Sequence, residues 1–207
     1  MGKKNIKAIL FDLGNVIVDV DEVKLERSYS PHGKVSEGEL VSYVKASQDA
    51  NRYMEGKLST SQFYYRARRR FRLDMKFGDF YRVWNSIFLA KSDMEDLIRN
   101  LKSSYPDVKL ILISNTNEAH YRYIRDNYKI LDELDGHVVS YEAGCQKPDR
   151  RIFAEAMRKA GSIPPETIYV DDRLDLIRAA RVMGIHAFHF TSSEQLRADL
   201  ARFGLSV

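Results

Sequence analysis

The sequence predicts an α/β fold in which a parallel sheet is flanked by helices and interrupted, after its first strand, by an all-helical insertion. Two observations carry this. From residue 107 onward, short apolar runs recur and each leads toward a helix, as βα units do, whereas residues 20 to 104 show helical periodicity and no strand pattern. A third observation ties the parts together. The apolar run at residues 6 to 11, without Pro or Gly, reads as a strand buried on both faces, so it must join the later strands from across the insertion.

The elements follow in order. The first strand ends at Asp12, the side of an open α/β sheet where ligands bind, and Gly14 lets the backbone approach whatever Asp12 addresses. Alone, an Asp followed by Gly and Asn is also ordinary turn chemistry. In the insertion, Ser36 with Glu39, Ser59 with Gln62 and Ser92 with Glu95 have capping-box spacing and mark three helix starts. Phe63, Ala67 and Phe71 share one helical face, and Tyr81, Trp84 and Phe88 another. Beyond it, VKLILIS ends at Ser114, HVVS is a shorter candidate, ETIYVDD ends at Asp171 and Asp172, and IHAFHF is the last strand. Helices are expected from about Asn117, from Asp149 to a stop at Gly161, from Arg173 to a stop at Gly184, and from Ser193.

At 207 residues the chain can bury a full core, and 33 basic against 29 acidic residues leave a net charge of only +4. That excess suits an anionic small molecule and gives little footing for nucleic acid. The single cysteine, Cys145, excludes an internal disulfide and fits a reducing compartment as a small packed residue. No apolar run approaches the ~20 residues of a membrane span, and MGKKNIKAILFD lacks a signal peptide's cleavage pattern. The expectation is a soluble, cytoplasmic protein with no nucleic-acid or membrane partner, monomeric or weakly dimeric.

Three strands therefore end in polar residues of matching chemistry: Asp12, Ser114 with Asn115, and the pair Asp171 and Asp172. Lys147, in CQKPD, is the fourth member. A carboxylate nucleophile, a hydroxyl and amide for oxyanions, a lysine to balance charge and paired acids for a hard cation suit phosphoryl transfer. Each also has a plainer reading, as a loop, a solvated charge or a helix cap. The set as a whole, at sheet ends and in this order, favours the functional reading. Arg66, Arg68, Arg69, Arg70 and Arg72 form a basic run suited to phosphate or nucleic acid, but the interleaved aromatics at helical spacing favour a solvated face and leave nucleic acid as the minority reading. His32, His137, His186 and His189 read as surface residues, and His120 stands evenly between a functional and a structural role.

These motifs resemble the haloacid dehalogenase-like hydrolase superfamily over essentially the whole chain. FDLGNVIVD looks like its first motif, LISNTN its second, KPD its third and VDDRLDLIRAARVMG its fourth. The insertion resembles the family's helical cap domain, within which MEGKLSTSQF is similar to a recurring segment. Through DLGNV, SNTNEAH and VDDRLDLI the chain is most like a branch of sugar-phosphate phosphatases that includes glucose-1-phosphate phosphatases. The resemblance implies a Rossmann-like core at residues 1–18 and 105–207 with a helical cap at 19–104. It implies Asp12 as nucleophile, and Ser114 and Lys147 as catalytic groups that hold phosphate with Asn115 and Gly14. It also implies magnesium between Asp12, the Gly14 carbonyl, Asp171 and Asp172. Gly14 departs from the pattern, because most phosphatases of the superfamily carry there a second aspartate that serves as general acid and base. His120 and Asp175 are the candidates to replace it.

The expected function is a magnesium-dependent phosphatase that hydrolyses a small phosphorylated metabolite, a sugar phosphate, through an aspartyl-phosphate. The alternatives are a dehalogenase of the same fold and a catalytically weakened binding or regulatory member.

Overall fold

A computed structural model describes residues 5–36 and 38–207. Residues 1–4, part of the stretch scanned for a leader, lie outside the described residues. The strands of the main sheet are β1 (Ala8–Phe11), β4 (Lys109–Ser114), β5 (Gly136–Val139), β6 (Thr167–Asp171) and β7 (His186–His189), all parallel in the order β5-β4-β1-β6-β7. Every residue of β1 is fully buried because side chains alternate between the two faces. Ile9 and Phe11 pack with one apolar cluster and Ala8 and Leu10 with the other, which is why the run is continuously apolar. The central place of β1 sets the carboxyl end of the first strand between those of β4 and β6.

The described residues also hold a second, two-stranded sheet. β2 (Val18–Val20) pairs antiparallel with β3 (Phe88–Ala90), which corrects the expectation of no strand between residues 20 and 104. Three-residue strands are too short to show a period, and each exists only because its distant partner is there. Phe88 therefore lies in β3 and not on a helical face with Tyr81 and Trp84.

Between the ribbon strands run α1 (Glu22–Tyr29), α2 (Glu39–Ala46), α3 (Gln48–Met54), α4 (Thr60–Phe71) and α5 (Phe77–Asn85). The Ser59–Gln62 capping box forms in full and starts α4. The other two boxes do not form. Gly38, left-handed at φ 74°, turns the chain into α2, so Ser36 stays outside and only its carbonyl meets Glu39 N–H, at 3.0 Å. Ser92 is already the first residue of α6 (Ser92–Ser104), because extended Lys91 takes the cap position. An aromatic cluster holds α1 to α5 together: Phe63 of α4 stacks on Tyr53 of α3 at 4.6 Å and on Tyr43 of α2 at 5.9 Å, it meets Trp84 of α5 at 5.2 Å, and the Tyr29 hydroxyl of α1 donates to the Phe80 carbonyl at 2.9 Å. On the outer face, Arg66 pairs with Asp49 at 2.7 Å and Arg70 with Glu39 at 2.9 Å, which accounts for part of the basic run as solvated ion pairs.

The remaining helices are α7 (Glu118–Asn127), α8 (Ser140–Ala143), α9 (Arg150–Ala160), α10 (Leu174–Val182) and α11 (Ser193–Ala201). Asn117, Asp149 and Ser192 cap α7, α9 and α11 through their side chains, and Gly161 ends α9 in the left-handed conformation. Unlike α1 to α5, α6 packs against α11 and the short 3-10 turn Lys129–Glu133 of the sheet layer. Among the described residues no helix is long and apolar enough to cross a membrane.

Candidate active site

The site grows out of the carboxyl edge of the sheet. Asp12, just past β1, donates its backbone N–H to the Val170 carbonyl at 3.0 Å, which continues the sheet by one residue and fixes the carboxylate beside β6. Lys147 arrives from the loop between α8 and α9. Its Nζ lies 2.7 Å from Asp12 Oδ1 and 2.7 Å from Asp171 Oδ2, with the side chain 1% exposed. The loop is held by Asn115, whose side-chain amide donates to the Lys147 carbonyl at 3.0 Å and accepts from the Lys147 N–H at 2.7 Å. Asn115 thus orients the lysine, and it also lines the space above it.

The electrostatics follow from burial. Burial pushes the Asp12 carboxyl up to about 6, with Lys147 opposing and Asp171 adding to the rise. For Lys147, burial disfavours the charge, but the two carboxylates outweigh it and hold the ammonium above its ordinary range. Asp171 is fully buried, and it accepts from the Tyr169 hydroxyl and, at 2.8 Å, from the Arg173 backbone N–H. Asp12, Asp171 and Asp172 each offer an oxygen within 4.8 Å of the others. Three carboxylates facing one lysine leave an excess of negative charge on hard oxygen donors, a set that fits a divalent cation such as magnesium.

Several residues here escaped the sequence reading. Asn15, at φ 59°, donates to Asp172 Oδ2 at 3.1 Å and accepts from the Val20 N–H at 3.2 Å, so it ties the loop after β1 to the acid pair. The available signal was an Asn directly after Gly14, a residue type that tolerates the left-handed region. His189 Nε2 lies 2.9 Å from the Asp172 carbonyl. Nothing local marks Glu22 or Lys45, which meet at 2.7 Å over the site.

Two adjoining cavities open here. The inner, about 280 Å³, contains Asp12, Lys147, Asp172 and Arg173; the outer, about 500 Å³, is walled by Leu25, Met54, Trp84, Phe88 and His120. Gly14, Glu22, Lys45, Ser114, Asn115 and Arg173 line both. A Cβ at Gly14 would come within 3.2 Å of Val20 Cγ2, so a side chain there requires that methyl of the ribbon to give by a few tenths of an ångström.

Both candidate replacements for the missing acid are placed elsewhere. His120 lies in the outer cavity, stacked on Trp84 at 4.8 Å, with Nε2 3.1 Å from the Trp84 carbonyl and Nδ1 3.1 Å from the Asn117 amide. Burial lowers its pKa to about 3, so the ring is neutral. Asp175 is exposed, lines neither cavity and pairs with Arg173 at 2.6 Å. Of the histidines expected at the surface, His32 is exposed, whereas His137, His186 and His189 are half-buried. His137 lies on β5, and His186 and His189 on β7, the two edge strands of the main sheet, where His137 packs against Tyr121 of α7 and His186 against Phe203. His137 meets the Tyr121 hydroxyl at 2.6 Å.

Residues 6–184 match the family of haloacid dehalogenase-like hydrolases. Over 205 residues the chain is 26% identical to D-ribitol-5-phosphate phosphatase of Bacteroides thetaiotaomicron, covering 94% of this chain and 97% of that protein. It is 23% identical over 188 residues to a sesquiterpene phosphatase of Aspergillus oryzae, covering 90% and 91%. The fold is similar to that of a HAD family enzyme of Bacteroides thetaiotaomicron solved with magnesium and inorganic phosphate. The TM-score is 0.78 at 23% identity, over 90% of this chain and 94% of that one.

Proposed function

The chain belongs to the haloacid dehalogenase-like hydrolases, and from that premise we propose that it is a magnesium-dependent phosphatase of a small phosphorylated metabolite, working through an aspartyl-phosphate on Asp12. The observation that carries this is the bridge of Lys147 between Asp12 and Asp171, beside Asp172, at the floor of a cavity. Asp12 is the nucleophile: its carboxylate oxygen bonds to phosphorus as the bond to the leaving oxygen breaks. Lys147 compensates the charge gathered on the phosphoryl oxygens, and Ser114 at the end of β4 offers its hydroxyl to them. Asn115 keeps Lys147 in place. Asp12, Asp171, Asp172 and the Gly14 carbonyl would hold magnesium, which supplies charge neutralisation at the phosphoryl group.

The relatives named above act on phosphorylated compounds, and we read the substrate as a sugar phosphate. In support, the outer cavity combines aromatic faces with the amides of Asn51 and Gln146. Helices α1 to α5, within the expected cap segment, form the lid over this cavity and select the leaving group. The buried free Cys145 accords with work in the reducing cytoplasm. Gly14 gives specific support to a second reading, a member of the fold with weakened turnover.

The test is phosphate release from a panel of sugar phosphates with and without chelator, for the parent and Asp12→Asn. The proposal requires activity that chelator stops and that the variant lacks. Full activity in excess chelator would remove magnesium from the mechanism, and release unchanged in Asp12→Asn would remove the aspartyl-phosphate.

A further inference from the structure

We propose that Glu22 is the general acid and base that replaces the carboxylate missing at Gly14. This rests on the phosphatase reading above. Three carboxylates line the inner cavity: Asp12, Asp172 and Glu22. Asp12 is the nucleophile, and Asp172 belongs to the acid cluster and is tied to Asn15. Glu22 alone is uncommitted to either task. It also lines the outer cavity, so it stands where the two meet, between the phosphoryl end and the leaving-group end of a bound ester. The scissile oxygen and the attacking water both belong at that junction.

Local structure delivers Glu22 there. β2 and β3 bring the chain back over the sheet edge, and Asp21, whose side chain accepts from the Lys24 N–H at 2.8 Å, starts α1 so that Glu22 is its first residue. The side chain is 42% exposed, within reach of water, and Lys45 Nζ of α2 meets it at 2.7 Å. The other charged groups lining the inner cavity are Asp12, Lys147, Asp172 and Arg173.

The proton account closes over one turnover. As the Asp12 carboxylate bonds to phosphorus and the ester P–O bond breaks, the leaving oxygen takes a proton that Glu22 relays from the Lys45 ammonium 2.7 Å away, and departs as the alcohol. Glu22 then takes a proton from water and passes it back to the Lys45 amine. The water oxygen bonds to phosphorus, the P–O bond to Asp12 breaks, hydrogen phosphate leaves, and the Asp12 carboxylate and the Glu22–Lys45 ion pair are restored.

The test uses para-nitrophenyl phosphate, whose leaving group needs no acid, so that the water step is isolated. Glu22→Gln should keep a burst of about one nitrophenolate per Asp12 and lose about 10²-fold in the steady rate. For Glu22→Ala, added formate should restore the steady rate in proportion to its concentration, an effect that a merely structural loss would not show. A steady rate in Glu22→Gln within twofold of the parent, or no response of Glu22→Ala to formate, overturns the proposal. If instead the parent releases phosphate without dependence on Asp12, it is the phosphatase mechanism that fails, and Glu22 falls with it.

Discussion

Lys147 Nζ lies 2.7 Å from Asp12 Oδ1 and is the only lysine or arginine in an ion pair with that carboxylate among the described residues. The same ammonium also answers buried Asp171. Lys147→Met should therefore do two things. Without the charge that faces the phosphoryl group, kcat should fall about 10² to 10³-fold. Two acids left facing each other should cost about 3–5 kcal/mol of stability in metal-free protein. Steady-state kinetics and urea unfolding in chelator measure the two separately.

Asn15 sits at φ 59° and gives its amide to Asp172. Asn15→Gly keeps the backbone and removes the bond, so the magnesium concentration for half-maximal rate should rise about 10 to 100-fold with little change in Tm. Asn15→Ala should show the same rise and in addition lose roughly 1–2 kcal/mol to left-handed strain. Equal magnesium requirements in parent and Asn15→Gly would refute the link.

Gly56 follows α3 at φ 68°, and a Cβ there would lie 2.1 Å from the Tyr141 carbonyl oxygen. Nearby, the Ser140 hydroxyl donates to the Met54 carbonyl at 2.6 Å, so this is where α3 meets α8. Gly56→Ala must push the helices over the sheet edge away from the sheet. The expected result is a loss of about 1–3 kcal/mol in stability, with kcat/KM on a good substrate lowered more than that on para-nitrophenyl phosphate, which uses less of the outer cavity.

His120 keeps a pKa near 3 in the folded chain against 6.5 for a free imidazole. Below pH 6.5 the unfolded chain binds a proton that the folded chain refuses, so stability falls as pH drops toward 3, by about 1.4 kcal/mol per pH unit. Above pH 6.5 the histidine contributes no slope. Urea midpoints at pH 7 and pH 5 should separate more for the parent than for His120→Gln.

What the sequence determined by itself is what short windows can encode. Continuous apolar runs marked the buried strands of a parallel sheet, and the strand ends carried Asp12, Ser114, Asp171 and Asp172 because a polar residue that stops such a run stands at its edge. Asn117, Ser59 and Gly161 showed helix limits through local hydrogen bonding and backbone freedom. Tertiary structure decided whatever depends on a distant partner. Val18–Val20 and Phe88–Ala90 become strands only by pairing with each other. His120 becomes a neutral core residue only because Trp84 and Phe88 close over it. Glu22 and Lys45, ordinary helix-surface residues in any window, reach the mouth of the site because the ribbon folds α1 and α2 back over Asp12. Periodicity reports which face of an element is apolar; which groups meet across elements is set by packing, where each contact exists only once all its neighbours are in place.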